Sequence, residues 1–197
     1  ESKRIMLELE DFINKEVTIQ GWVRNHRKQK DFGFIDFNDG TCFRNLQIVY
    51  DNSLGNFEEI QKIHVGSAIT AHGLIIKSEG AGQDFEMKLI DLKLEGDCPE
   101  DYPIQPKRHT REFLREQAYL RTRTNLFGAV FRVRSAASHA IHTFFQERGY
   151  VYVHTPLITA NDGEGAGQMF QVTTLDLDRV AKEGKVDYSK DFFNKKV

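Results

Sequence analysis

Three groups of residues in this chain have types and spacings that could recognise a ligand. The first is Phe32-Gly33-Phe34-Ile35-Asp36-Phe37, closed by Asn38-Asp39-Gly40. As a strand, its period of two puts Phe32, Phe34 and Asp36 on one face and Ile35 and Phe37 on the other, before Asn-Asp-Gly turns the chain. A half-buried strand needs one apolar face, so rings on both faces call for two partners. One set fits a core; the other suits flat stacking on unpaired bases or packing under a loop or neighbouring domain. The second group is the basic run Arg24-Asn25-His26-Arg27-Lys28-Gln29-Lys30, which flanks those rings with charges suited to phosphates. The third is Gln47, which alternates with Leu46, Ile48 and Tyr50 and so projects from the opposite face. An amide beside aromatic rings can hydrogen-bond the edge of a base, and it equally suits plain exposure to water.

Other chemistries find less support. His139 and His142 stand three apart without a third ligand at a recognisable spacing or a His-Glu-x-x-His pattern, so no metal site is expected. Asp36 and Asp39 fit strand-edge and turn chemistry, and no nucleophile and base pair up from order alone. The segment Gly163-Glu164-Gly165-Ala166-Gly167 is a loop carrying one carboxylate, free to swing onto an ammonium group; its glycines match neither a P-loop nor a dinucleotide fingerprint. Cys42 and Cys98 form neither a disulfide framework nor a zinc signature, which makes a reducing, cytoplasmic setting the default. With 40% hydrophobic and 28% charged residues the 197-residue chain reads as globular. No apolar run has the length of a membrane span, and the amino end lacks a signal-peptide pattern. Its first residue is Glu1, not Met, which suggests a processed or trimmed start. The net charge of −2 means that contact with nucleic acid must come from local patches such as Lys107-Arg108-His109-Thr110-Arg111 or Arg121, Arg123, Arg132 and Arg134.

The elements that must position these groups follow from periodicity. After an approach segment, Val17 to Val23 alternates as a first strand, Phe32 to Phe37 is the second and Leu46 to Tyr50 the third. Asn52-Ser53 is expected to cap a helix in which Phe57, Ile60 and His64 share a face. Ile69 to Ile76 and Phe85 to Leu94 are two further strands around a glycine turn. Three strands, a short helix and two strands is the order of an OB-fold, an all-β five-stranded barrel that commonly binds oligonucleotides across strands two and three. Pro99, Pro103 and Pro106 mark a hinge over residues 99–110 between this domain, 1–98, and a second, 111–197. In the second domain Thr110 is expected to cap a helix from Arg111 to Leu120, and Thr124 a longer one to about Arg148, stopped by Gly149. Strands are expected at Tyr150 to His154, closed by Thr155-Pro156, and at Met169 to Thr173. The last twenty residues are charged and weakly patterned.

Together these residues resemble one family. Gly21-Trp22-Val23-Arg24, Phe34-Ile35-Asp36 and Leu46-Gln47-Ile48-Val49 resemble the anticodon-binding OB-fold of the aspartyl and asparaginyl branch of class II aminoacyl-tRNA synthetases. Arg148-Gly149-Tyr150-Val151-Tyr152-Val153-His154-Thr155-Pro156 is similar to motif 1 of class II enzymes, which builds their dimer interface. Phe113-Leu114-Arg115-Glu116, Asp162 to Phe170 and Val186 to Phe193 lie closer to the asparaginyl than to the aspartyl side.

The resemblance implies an OB-fold barrel followed by the start of an α+β class II catalytic domain. Phe34 would stack on an anticodon base, Gln47 would hydrogen-bond the central uridine, and Arg27 would contact the same region. Gly149 and Pro156 would lie in the motif 1 dimer contact, and Glu164 would hold the amino group of the amino acid on a loop that closes over the site. The family uses ATP and Mg2+ to activate asparagine and passes the acyl group to tRNA(Asn). Motifs 2 and 3 do not appear before Val197, so the resemblance implies an inactive fragment with no catalytic residue, no metal ligand and no bound cofactor of its own. A non-catalytic OB-fold module with a dimerising helical half, or an aspartyl enzyme, stays open at this point.

Overall fold

In a computed structural model, residues 1–78, 80, 82–160 and 170–197 are described. Alternating apolar residues build five strands: β1 (Glu16–Lys28), β2 (Phe32–Asn38), β3 (Leu46–Asp51), β4 (Ala68–Lys77) and β5 (Phe85–Gly96). They close into a barrel in the order β1-β2-β3-β5-β4, with β3 and β5 parallel and every other pair antiparallel. This is the OB-fold expected from the order of elements. Closure pairs the lateral edges that an open sheet would leave bare.

Ile19, Val23, Ile35, Phe37, Ile48, Ile69, Ala71, Ile75 and Met87 point inward and fill the barrel, all at 1% exposure or less. Each large side chain so buried contributes about 1.5–3 kcal/mol relative to exposure. The helix α1 (Ser2–Leu7) is followed by the single turn α2 (Leu9–Phe12), and α1 adds Ile5 to the same core. Between β3 and β4, α3 (Phe57–Lys62) adds Phe57 and Ile60. The capping expectation here is corrected. Asn56 holds the N-cap position, and its side-chain amide donates to the Leu92 carbonyl instead of capping. Asn52-Ser53 belongs to a turn in which Ser53 bonds the Asp51 carboxylate, because a short polar side chain next to a free carboxylate closes an Asx-type turn. His64 lies beyond the helix, 3.5 Å from Asp97.

β1 is longer than the periodicity suggested and takes in the basic run as far as Lys28. It can do so because of a bulge: Val23 pairs with Phe37 and Asn25 with Asp36, so Arg24 is an extra residue in the ladder. A bulge shifts the alternation by one. Beyond it His26 faces inward while Asn25 and Arg27 face outward. His26 sits against Ile63 and Tyr50: Nδ1 donates to the Ile63 carbonyl at 3.0 Å, which leaves Nε2 to accept from the Tyr50 hydroxyl at 2.7 Å. Gly33 is required beside this pair, since a Cβ there would collide with the Tyr50 hydroxyl and ring.

After the barrel, Tyr102, Ile104 and Leu114 form a second small core with Val65, Phe113, Leu120 and Phe127 packed on it. Thr110 caps α4 (Arg111–Glu116) as expected, accepting from the Phe113 N–H at 3.2 Å. The helix is shorter than expected, and a 3-10 turn over Arg121–Arg123 leads to α5 (Asn125–Gln146).

The chain divides into two compact units, Glu1–His139 and Ala140–Val197. In the second, the end of α5 is closed by Gly149 at φ +83°, a left-handed value that favours glycine, with its N–H bonded to the Gln146 carbonyl at 3.0 Å. Tyr150 to His154 is not a strand, and neither are residues 170–173. A strand requires a partner edge, and among the described residues every strand belongs to the barrel. The closing residues, expected to be weakly patterned, contain α6 (Leu177–Glu183), with Asp176 as N-cap and Gly184 in the left-handed C-cap. Both caps stand in the sequence as legible signals of this charged helix.

Candidate nucleic-acid interface

Phe34 and Gln47 emerge on the outer wall of β2 and β3 because their neighbours Ile35, Phe37, Leu46 and Ile48 are claimed by the core. Antiparallel pairing sets Phe34 opposite Arg27 and Asp36 opposite Gln47. The Arg27 guanidinium lies over the Phe34 ring at 5.0 Å from its centroid. It also donates to Gln47 Oε1 at 2.7 Å and lies 3.5 Å from Asp36 Oδ1. Asn25 donates to the other Asp36 oxygen at 3.2 Å. The Phe32 ring, 44% exposed, meets Phe34 edge to face with centroids 5.5 Å apart. The three residues proposed from sequence thus fall within one patch.

A residue that sequence reasoning missed completes it. Glu86 on β5 reaches Gln47 because β5 pairs in parallel with β3, Ile48 beside Met87. Its Oε2 accepts from Gln47 Nε2 at 3.1 Å, Ser78 Oγ at 3.1 Å and Gln83 Nε2 at 2.9 Å. A guanidinium can only donate and a carboxylate can only accept, so these two neighbours dictate which way the Gln47 amide faces. One N–H and one carbonyl lone pair remain for a ligand. Such a donor and acceptor side by side complement the N3–H and a ring carbonyl of uracil. No local pattern around Glu86 signals this, since only closure of the barrel brings it to Gln47.

Behind the wall, burial pushes the His26 imidazole down to about 4, against the Ile63 carbonyl, which favours the charged form. Burial also pushes the Tyr50 hydroxyl up to about 12. The pair is therefore neutral at ordinary pH and supports Gly33 from inside without adding charge to the outer face.

Of the remaining candidates, Glu164 lies outside the described residues. Gly149 ends α5, and Pro156 is exposed in the segment beyond it. Among the described residues no three His, Cys, Asp or Glu side chains converge as a metal donor set, and no helix of the described residues is long and apolar enough to cross a membrane.

A closed five-stranded barrel with rings, an amide and a guanidinium on its outer wall defines a nucleic-acid-binding OB-fold, and residues 17–95 match the family model "OB-fold nucleic acid binding domain". Residues 110–195 match "tRNA synthetases class II (D, K and N)". The chain is 53% identical over 197 residues to an asparagine–tRNA ligase of Desulfitobacterium hafniense, covering 99% of the chain and 42% of the relative. It is 54% identical over 198 residues to that of Acetivibrio thermocellus, covering 99% and 43%. In fold it is similar to the asparaginyl-tRNA synthetase of Pyrococcus horikoshii solved with asparaginyl-adenylate, with a TM-score of 0.72 and 22% identity over 82% of this chain and 38% of that one. The chain spans about two fifths of the length of the curated relatives it matches.

Proposed function

We propose that the whole protein is an asparagine–tRNA ligase and that this chain supplies its anticodon reader and the opening of its catalytic domain. The identity to asparagine–tRNA ligases across 99% of the chain carries this reading, and the outward array of Phe34, Arg27 and Gln47 supports it. In the proposed reaction a carboxylate oxygen of asparagine attacks the α-phosphorus of ATP and the bond to pyrophosphate breaks; a ribose hydroxyl of the terminal adenosine of tRNA(Asn) then attacks the acyl carbon of the adenylate, and AMP leaves. Positioning and cationic stabilisation of the phosphoryl oxygens supply most of the acceleration. ATP and Mg2+ are proposed for the whole protein; the described residues hold no donor set for the ion.

On the barrel, an anticodon base stacks on Phe34 and the central uridine pairs with the free edge of Gln47. Arg27 either stays over the ring as a second stacking surface or turns to a phosphate. We assign residues 1–98 to the anticodon domain, 99–110 to the joining segment and 111–197 to the catalytic opening. Glu164 is proposed to hold the amino group of asparagine. Gly149 and Pro156 are proposed to lie at a homodimer contact, and the two thiols, free in this structure, fit a cytoplasmic enzyme.

The test is tRNA(Asn) transcript binding, compared with a transcript whose central anticodon uridine is changed to cytidine. At least a tenfold weaker affinity for the second is expected, about 1.4 kcal/mol; equal affinities would refute the Gln47 assignment. Pyrophosphate exchange by the whole protein should depend on asparagine and not on aspartate. Exchange with aspartate instead would overturn the assigned substrate.

A further inference from the structure

On the barrel side of the first unit, a cleft of about 450 Å³ opens beside the start of α5 and the β1 bulge, lined among others by Trp22, Arg24, Phe43, Arg123 and Arg132. Its lining contains three guanidinium groups and no carboxylate. Arg123 lies over the Trp22 ring at 4.4 Å, and Arg132 lies over the Phe43 ring at 5.2 Å while donating to the Gly40 carbonyl at 2.7 Å. None of the three is in an ion pair among the described residues, where the arginines that are paired are Arg4, Arg27, Arg44, Arg115 and Arg179. Burial holds the Arg24 guanidinium below its ordinary value, and the nearby charge of Arg123 pulls the same way against Tyr102. Guanidinium does not give up its proton in proteins, so this direction records the cost of keeping a charge partly out of water. An anion in the cleft would relieve it.

The cleft is not isolated. A neighbouring cleft of about 630 Å³ shares Arg24, Thr124 and Asn125 with it and adds Lys107, Arg108 and His109. That second cleft also takes in Asn25 and Asp36, which belong to the Phe34 and Gln47 patch. Its one carboxylate, Asp36, is already held by Asn25 and Arg27. A basic track therefore runs without a break from the proposed anticodon wall past the bulge to Arg123 and Arg132. Arg24 and Arg27 are three residues apart on β1, roughly 10 Å. A track of this kind, with fixed donors and stacked guanidiniums, suits a ribose-phosphate chain.

We propose that Arg24, Arg123 and Arg132 form a second RNA contact, which grips the sugar-phosphate backbone of the stem that continues from the loop held at Phe34 and Gln47. The proposal rests on the RNA-binding reading of the barrel wall, and its test separates the two. Two probes are used with the 197-residue chain: a seven-nucleotide single strand carrying only the anticodon loop, and a hairpin carrying that loop on its stem. Affinities are read by fluorescence anisotropy from 50 to 200 mM KCl.

Changing Arg123→Gln and Arg132→Gln together should weaken hairpin binding about tenfold at the higher salt and reduce the slope of log K against log [salt] by about 1 to 2. Binding of the single strand should not change. Arg123→Lys with Arg132→Lys keeps the charge and should keep most of the slope, which a purely structural role in stacking on Trp22 and Phe43 would not. Wild-type affinity and slope for the glutamine variant would overturn the proposal while leaving the barrel-wall reading intact. Equal losses on both probes would also overturn it, by showing damage to the barrel itself. If calorimetry with pyrophosphate alone shows saturable binding that the glutamine variant loses while hairpin binding stays unchanged, the site serves a free phosphate compound and the RNA assignment falls. Failure of Phe34→Ala to weaken either probe would instead remove the barrel-wall reading on which the proposal rests.

Discussion

The duties proposed for Phe34 and Gln47 are separable. Phe34→Ala removes a stacking platform, worth about 1–3 kcal/mol per base, and should weaken tRNA binding by that amount at fixed salt in a filter-binding assay. Unchanged affinity would remove stacking from the account. Gln47→Ala should act differently, lowering the preference for uridine over cytidine at the central position by more than it lowers affinity for the best transcript. A uniform loss across both transcripts would mean that the amide does not read the base. The Gln47 orientation depends on Glu86, whose carboxylate also holds Ser78 and Gln83. At this scale, the alternation of β2 and β3 was enough to choose Phe34 and Gln47, because a period of two leaves few other outward groups. Glu86 was not legible: its link to Gln47 spans 39 residues and exists only once β5 has paired with β3.

Among the elements, β1 has most to do with the site, since its bulge at Arg24 turns Arg27 outward and His26 inward. The half-buried His26 makes the barrel's stability depend on pH with a definite sign. Its pKa falls from 6.5 to about 4 on folding, so between those values the unfolded chain binds a proton that the folded chain does not. Stability therefore rises with pH across this window and is lost as pH falls from 6.5 toward 4, by up to about 3 kcal/mol. Urea unfolding at intervals from pH 4.5 to 7 should show this limb, and His26→Gln should flatten it. A limb of the same size in the variant would assign the effect to other groups. Asp39, held far below the usual carboxylate range by Thr41, Ser2 and the terminal ammonium against the cost of its own burial, makes its contribution at lower pH and does not blur the test.

In the second unit, the segment after α5 exposes Tyr150, Val151, Tyr152 and Val153, with Val151 at 85%. Among the described residues Phe145 meets the Tyr150 ring, and His142 and His154 meet the Tyr152 ring, all edge to face. Four consecutive apolar residues in water cost burial energy that a second copy of the segment could recover, at about 25 cal/mol per Å² of apolar surface. This supports the dimer proposed for Gly149 and Pro156. Replacing Val151 and Val153 together by Asp should shift the whole protein from dimer to monomer in sedimentation velocity, without changing binding of the single-stranded anticodon probe. A dimer that survives both substitutions would place the contact elsewhere.

The sequence alone determined the barrel and the outward choice of Phe34 and Gln47, because strand alternation is local and a closed barrel has one interior to fill. It also determined the α4 cap at Thr110 and the extent of α5. It misplaced the cap of α3, and it expected a strand over Tyr150 to His154, whose apolar pattern satisfies a strand only where another edge supplies hydrogen bonds. Only the tertiary structure decided that Arg24 is an extra residue, that Arg27 lies over Phe34, that Glu86 orients Gln47 and that three arginines gather without a carboxylate. Each of these depends on register between strands or on contact across many residues of chain, and neither is encoded in the spacing of neighbours along one segment.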